Sequence, residues 1–171
     1  LLLRYGISTF YLIYFAFFSA LTLISFIDFS DRIIPDAISL PGIVIGLIVS
    51  WLHPQMSIIK SLIGVLIGGG SLYLIAMIYE LVTKREGMGG GDVKLLAMIG
   101  AFIGWQGVLF TILCSSLIGS IVGVTMMLVT SADSKYAVPF GPFLSLGAII
   151  YVLWGENLIA WYIAFLRAAA V

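Results

Sequence analysis

Two of the eight acidic residues stand where an acid needs a physical reason. Asp28 closes an uncharged apolar stretch, about Ser8 to Ile27, and Asp92 opens another, about Val93 to Trp105. A carboxylate at the edge of an apolar helix is costly to ionise unless something stabilises it. Asp92 also follows three glycines, Gly89, Gly90 and Gly91. Lacking a Cβ, glycine permits unusual dihedrals and close approach of another chain. An acid beside bare backbone suits an enzyme that holds a peptide against a carboxyl group. Two carboxylates a few ångströms apart cannot both ionise easily and share a proton. One then takes a proton from water while the other donates to a carbonyl, the arrangement of aspartic proteases. The plainer reading of each acid by itself is a helix cap or a contact with lipid headgroups.

The elements that must position these acids are apolar helices. The chain is 62% hydrophobic and 9% charged, with a mean hydropathy of +1.21, which excludes a water-soluble domain. A net charge of zero argues against nucleic acid as partner. A length of 171 residues suits one bundle of several spans of roughly 20 residues each. The expectation is an all-α integral membrane protein, a bundle of about six to seven transmembrane helices forming a single domain, embedded in the bilayer. The spans read as about Ser8–Ile27, Ala37–Leu52, Ile59–Thr83, Val93–Trp105, Val108–Thr130 and Val138–Trp154. A short last helix, Leu158–Leu166, follows a break at Gly155-Glu156-Asn157. Pro35 disfavours helix at Ile34 and leaves Asp36 placed to cap the next helix. Glycines four apart, Gly42/Gly46, Gly64/Gly68, Gly100/Gly104 and Gly119/Gly123, read as close helix contacts within the bundle.

If the spans alternate, Arg32, Lys84, Arg85, Lys94, Lys135 and Arg167 share a face, leaving Arg4 and Lys60 on the other. Arg167 counts only if the last helix crosses. Six basic residues against two make the first face cytoplasmic. Asp28 and Asp92 fall on that same face, separated by two full crossings. His53 lies on the opposite face beside Pro54 and reads as a loop residue. Cys114, the single cysteine, sits in an apolar segment and reads as inert packing. The start, Leu1-Leu2-Leu3-Arg4-Tyr5, reads as the tail of an apolar helix, so the chain is taken as a fragment.

Gly89-Gly90-Gly91-Asp92 fits the Gly-x-Gly-Asp signature of intramembrane aspartyl proteases. The longer run from Gly87 to Leu96 resembles the type IV prepilin peptidases. So do Ile27-Asp28 with Ile34-Pro35-Asp36 and Ser39-Leu40-Pro41, and the segment Val138-Pro139-Phe140-Gly141-Pro142-Phe143. The resemblance implies cleavage of type IV prepilins or pseudopilins at the junction of a basic leader and an apolar helix. It implies Asp28 and Asp92 as the catalytic pair, with Pro35 seven residues after the first acid favouring Asp28 over Asp31 and Asp36. Glycines 89 to 91 would let the substrate strand lie close to Asp92. The location implied is the bacterial inner membrane, multi-pass, with the active site on the cytoplasmic side.

That chemistry requires no metal. Many bacterial members carry an upstream cytoplasmic segment with paired Cys-x-x-Cys motifs and a preceding span, and methylate the new terminus with S-adenosylmethionine. Zinc and S-adenosylmethionine therefore enter only with such a segment. Asp31, Asp36, Glu80, Glu86 and Asp133 either attract the basic leader or pair with Arg32, Lys84, Arg85 and Lys135. Two other classes compete. A proton-coupled transporter or channel predicts acids near mid-span, and a catalytically silent assembly subunit keeps only the scaffold.

Overall fold

The computed structural model describes residues 9–52, 56–84, 89–130 and 139–169, whose regular structure is entirely helical. Five helices follow in order: α1 Thr9–Asp31, α2 Asp36–Leu52, α3 Ile58–Thr83, α4 Gly90–Thr130 and α5 Gly141–Ala169. Three of them are long and apolar enough to cross a membrane, over Tyr11–Asp31, Ile58–Thr83 and Gly90–Val129. Two shorter apolar stretches, Asp36–Leu52 and Gly141–Gly155, accompany them.

The bundle is built around the first part of α4. At Gly104 the backbone takes φ 71° and ψ 179°, a combination open essentially to glycine alone. A straight helix separates residues eight apart by about 12 Å. Here a Cβ on Gly100 would lie 3.0 Å from Val108 Cγ2. The helix therefore doubles back, giving a first arm, residues 90–103, and a second, 105–130. Residues 95–102 of the first arm are all buried, as expected of a helix apolar on every side.

Small residues let the neighbours close on that arm. A Cβ on Gly46 of α2 would meet Ala101 Cβ at 2.7 Å, and one on Gly42 would overlap the Met98 side chain. On α3, a Cβ on Gly64 would overlap the carbonyl oxygen of Gly100. With no hydrophobic drive between helices in lipid, such backbone contacts supply the packing. The expected glycine contacts hold for α2, α3 and the first arm of α4. They do not hold at Gly123, where a Cβ would meet no described atom within 4 Å. The second arm runs antiparallel to α5: Gly107 faces Tyr151, Gly147 faces Thr111, and Gly119 faces Phe140 and Phe143. Phe17 of α1 stacks on Phe102 with ring centroids 4.3 Å apart.

Three expectations change. The break at Gly155-Glu156-Asn157 is absent: α5 continues through it to Ala169, since single weak helix formers cost at most about 1 kcal/mol inside an otherwise apolar helix. Arg167 thus lies at the end of α5 away from Gly141, not on the Asp28 side. The fourth and fifth spans meet without a loop, at Gly104. Gly90 and Gly91 belong to the first turn of α4, and the only positive-φ glycine among the described residues is Gly104. The His53–Gln55 break, the Arg85–Met88 stretch, the Ser131–Tyr136 loop and the Leu1–Tyr5 start lie outside the described residues.

Candidate active site

Asp28 is placed by the spacing of α1. Phe17, Leu21, Ile24 and Asp28 are four, three and four residues apart, so they share one helix face, and all are buried. The acid is thus in the last turn of α1, not after it, and is only 6% exposed. The helix ends at Arg32, whose left-handed φ of 57° turns the chain while its N–H still donates to the Asp28 carbonyl at 3.0 Å. Pro35 then starts α2: its carbonyl accepts from the backbone N–H groups of Ile38 and Ser39, both at 3.1 Å, and from the Ser39 hydroxyl at 3.2 Å.

Asp92 sits in the first turn of α4, half-buried, with its N–H donating to the Gly89 carbonyl at 3.2 Å. Gly91 packs beneath the turn that follows α1: a Cβ there would lie 2.8 Å from Ile34 Cβ. Ile34 is itself buried and also reaches the start of α5, where a Cβ on Gly141 would lie 3.4 Å from Ile34 Cδ1. One apolar side chain thus joins the ends of three helices. Gly90 is different, having open space where a Cβ would stand among the described residues.

These ends surround an open cleft of about 420 Å³. Asp28 and Asp92, from helices distant in sequence, both line it, together with Gly89, Gly90 and Gly91. The start of α5 completes the site: the Gly141 N–H donates to Asp28 Oδ2 at 2.9 Å. A Cβ at Gly141 would stand 2.6 Å from that oxygen, so no larger residue fits without displacing the acid. The segment from Val138 to Phe143 attracts notice in the sequence, but nothing there says that Gly141 holds Asp28.

Asp36 is not simply a cap. Both its carboxylate oxygens accept from Lys94 Nζ at 2.7 Å, tying the first turn of α2 to the first turn of α4 across 58 residues. The sequence reading left these acids either attracting the basic leader or pairing with Arg32, Lys84, Arg85 or Lys135, and Lys94 was not among the candidates. The signal available was the short step from Asp92 to Lys94, which sets the lysine beside the same cleft. Among the described residues no group of three or more His, Cys, Asp or Glu side chains is placed to hold a metal ion. Cys114 lies in the second arm of α4 and is not among the residues lining the cleft.

The profile of the type IV leader peptidase family matches residues 15–124, which take in both acids and the glycine run. The chain belongs to the type IV leader peptidase family. Among proteins of this kind it is 40% identical over 157 residues to a prepilin leader peptidase/N-methyltransferase of Pseudomonas putida, covering 92% of the chain and 54% of that protein. It is 42% identical over 141 residues to a protein of the same name from Pseudomonas aeruginosa, covering 82% and 49%. A third, from Aeromonas hydrophila, is 36% identical over 143 residues, covering 84% and 49%. The chain spans about half the length of the curated relatives it matches. No solved structure matches it. Bacterial relatives and long apolar helices together describe a multi-pass membrane protein.

Proposed function

We propose that this chain carries the peptidase site of a membrane-embedded aspartic endopeptidase that cuts the basic leader from type IV prepilins or pseudopilins. The observation that carries the reading is that Asp28 and Asp92 line one cleft, although α2 and α3 lie between them in the chain. One carboxylate takes a proton from water as its oxygen attacks the carbonyl of the leader's last residue. The other, protonated, donates to the carbonyl oxygen. Collapse of the tetrahedral species then breaks the C–N bond and passes a proton to the leaving amine. The Gly141 N–H, donating to Asp28 Oδ2, holds that carboxyl at the cleft. Gly89 and Gly90 leave room for an extended substrate strand beside Asp92, while Gly91 serves packing against Ile34. No metal and no S-adenosylmethionine takes part. The methyl transfer in the relatives' names is not assigned to this chain.

The cleft end is proposed as cytoplasmic, in a bacterial inner membrane. Among the described residues, Arg32, Lys84 and Lys94 at the cleft end still outnumber Lys60 and Arg167 at the other. The proposed topology takes the two arms of α4 as separate crossings, for six in a single peptidase domain. A transporter is disfavoured because the acids sit at helix ends around one cleft and, among the described residues, Asp28 is the only charged side chain that is buried.

The decisive measurement is cleavage of a prepilin by the chain reconstituted in lipid vesicles. Asp28→Asn and Asp92→Asn are each expected to lower the rate by at least about 100-fold, the scale of a lost general acid or base. Wild-type cleavage by either variant would refute the assignment.

A further inference from the structure

Two cationic side chains, Arg32 and Lys94, line the cleft, where a proton-sharing acid pair tolerates a free cation badly. Lys94 lies two residues beyond Asp92, and its side chain lines the same cleft as Asp28 and Asp92. A cation beside paired carboxylates favours the state in which both are ionised. A doubly ionised pair has no proton to donate, so it lacks its general acid.

The ammonium of Lys94 is instead held by a third carboxylate. Both oxygens of Asp36 lie 2.7 Å from Nζ. Asp36 occupies the first turn of α2, where the helix dipole favours a negative side chain. The turn at Pro35 is braced by Ser39, which presents Asp36 at a set position. With 38% of the Lys94 side chain and 55% of the Asp36 side chain exposed, the pair adds little to stability. The charged groups facing the cleft among the described residues are Asp28 and Arg32 from the end of α1, Asp36 from α2, and Asp92 and Lys94 from α4.

We propose that Asp36 is a positioning residue that holds the Lys94 ammonium away from Asp28 and Asp92, so that the two can share one proton. The proposal rests on the reading of those acids as the water-activating pair. Released from Asp36, the flexible lysine stem lets the ammonium swing toward the other two carboxylates of the cleft.

The test compares wild type, Asp36→Asn, Lys94→Met, the double variant and Asp36→Glu in lipid vesicles, with kcat and KM for prepilin cleavage measured across pH. Asp36→Asn is expected to move the pH profile about one unit toward acid and to lower kcat near neutrality roughly tenfold, with KM little changed. Its sign follows from the cation: favouring the ionised acids means that more acid is needed to restore the shared proton. Adding Lys94→Met to Asp36→Asn should return kcat and the pH profile to those of Lys94→Met alone. Asp36→Glu, which keeps the carboxylate, should stay close to wild type. Equal losses in Asp36→Asn, Lys94→Met and the double variant, with unshifted profiles, would reduce the pair to a mechanical brace and overturn the proposal. So would an Asp36→Asn variant indistinguishable from wild type. Asp28→Asn and Asp92→Asn, run alongside, separate this outcome from failure of the catalytic reading, since only that failure leaves them cleaving.

Discussion

Asp28 is held by two things of different origin: its register on α1 and a backbone N–H from the far end of the chain. The register follows from the stripe Phe17, Leu21, Ile24, while the N–H belongs to Gly141, 113 residues later. A hydrogen bond to a charged group is worth about 1.5–3 kcal/mol. Gly141→Ala puts a methyl group against Asp28 Oδ2 and must either displace the acid or break this bond. We expect prepilin cleavage to fall by roughly tenfold to a hundredfold, the rate equivalent of that energy. Retained helicity in the circular dichroism spectrum would assign the loss to the site; unchanged cleavage would show that the bond is dispensable. Gly123→Ala, whose Cβ would meet no described atom within 4 Å, is the matching control.

At the level of elements, α4 does two jobs, because its first arm is both the centre of the bundle and the carrier of Asp92. Its burial over residues 95–102 anchors the arm, so the acid at its start inherits a defined position. The reversal that allows this depends on Gly104, whose φ of 71° with ψ of 179° is strained for any other residue. Gly104→Ala is expected to cost about 1–3 kcal/mol of stability. The reading is a thermal melt in detergent, where a drop of several degrees is expected and an unaltered midpoint would mean that the chain turns there without help from glycine. The contact of α3 with the first arm, where Gly64 meets Gly100, is a second place where any side chain forces the helices apart.

The whole molecule has two ends with different contents. One gathers the starts of α2, α4 and α5 with the end of α1 around the acid cleft. The other gathers Tyr14, Ser57, Lys60, Gly104 and Tyr151 around a smaller cavity of about 200 Å³. A continuous α5 carries Arg167 toward the second end, roughly 39 Å from Gly141 along the helix. Membrane-impermeant thiol labelling tests this arrangement in a Cys114→Ala background. Lys60→Cys and Arg167→Cys should react from one side of the membrane and Lys84→Cys from the other. Reaction of Arg167→Cys from the Lys84 side would mean that α5 breaks and crosses back.

Much of this was legible without coordinates. The apolar composition required a membrane bundle, and the acids at the edges of apolar stretches singled out Asp28 and Asp92, which the fold brings to one cleft. These are local properties: hydropathy and helical period act on neighbours in the chain. The break at Gly155 was misread because composition measures a weak preference, and an apolar helix overrides it. Only the folded chain decided that Gly141 meets Asp28, that Lys94 meets Asp36, and that Gly91 packs on Ile34 while a Cβ on Gly90 would meet no described atom. Each of these joins segments brought together by several helix crossings, and no local preference encodes which side chains will face one another after them.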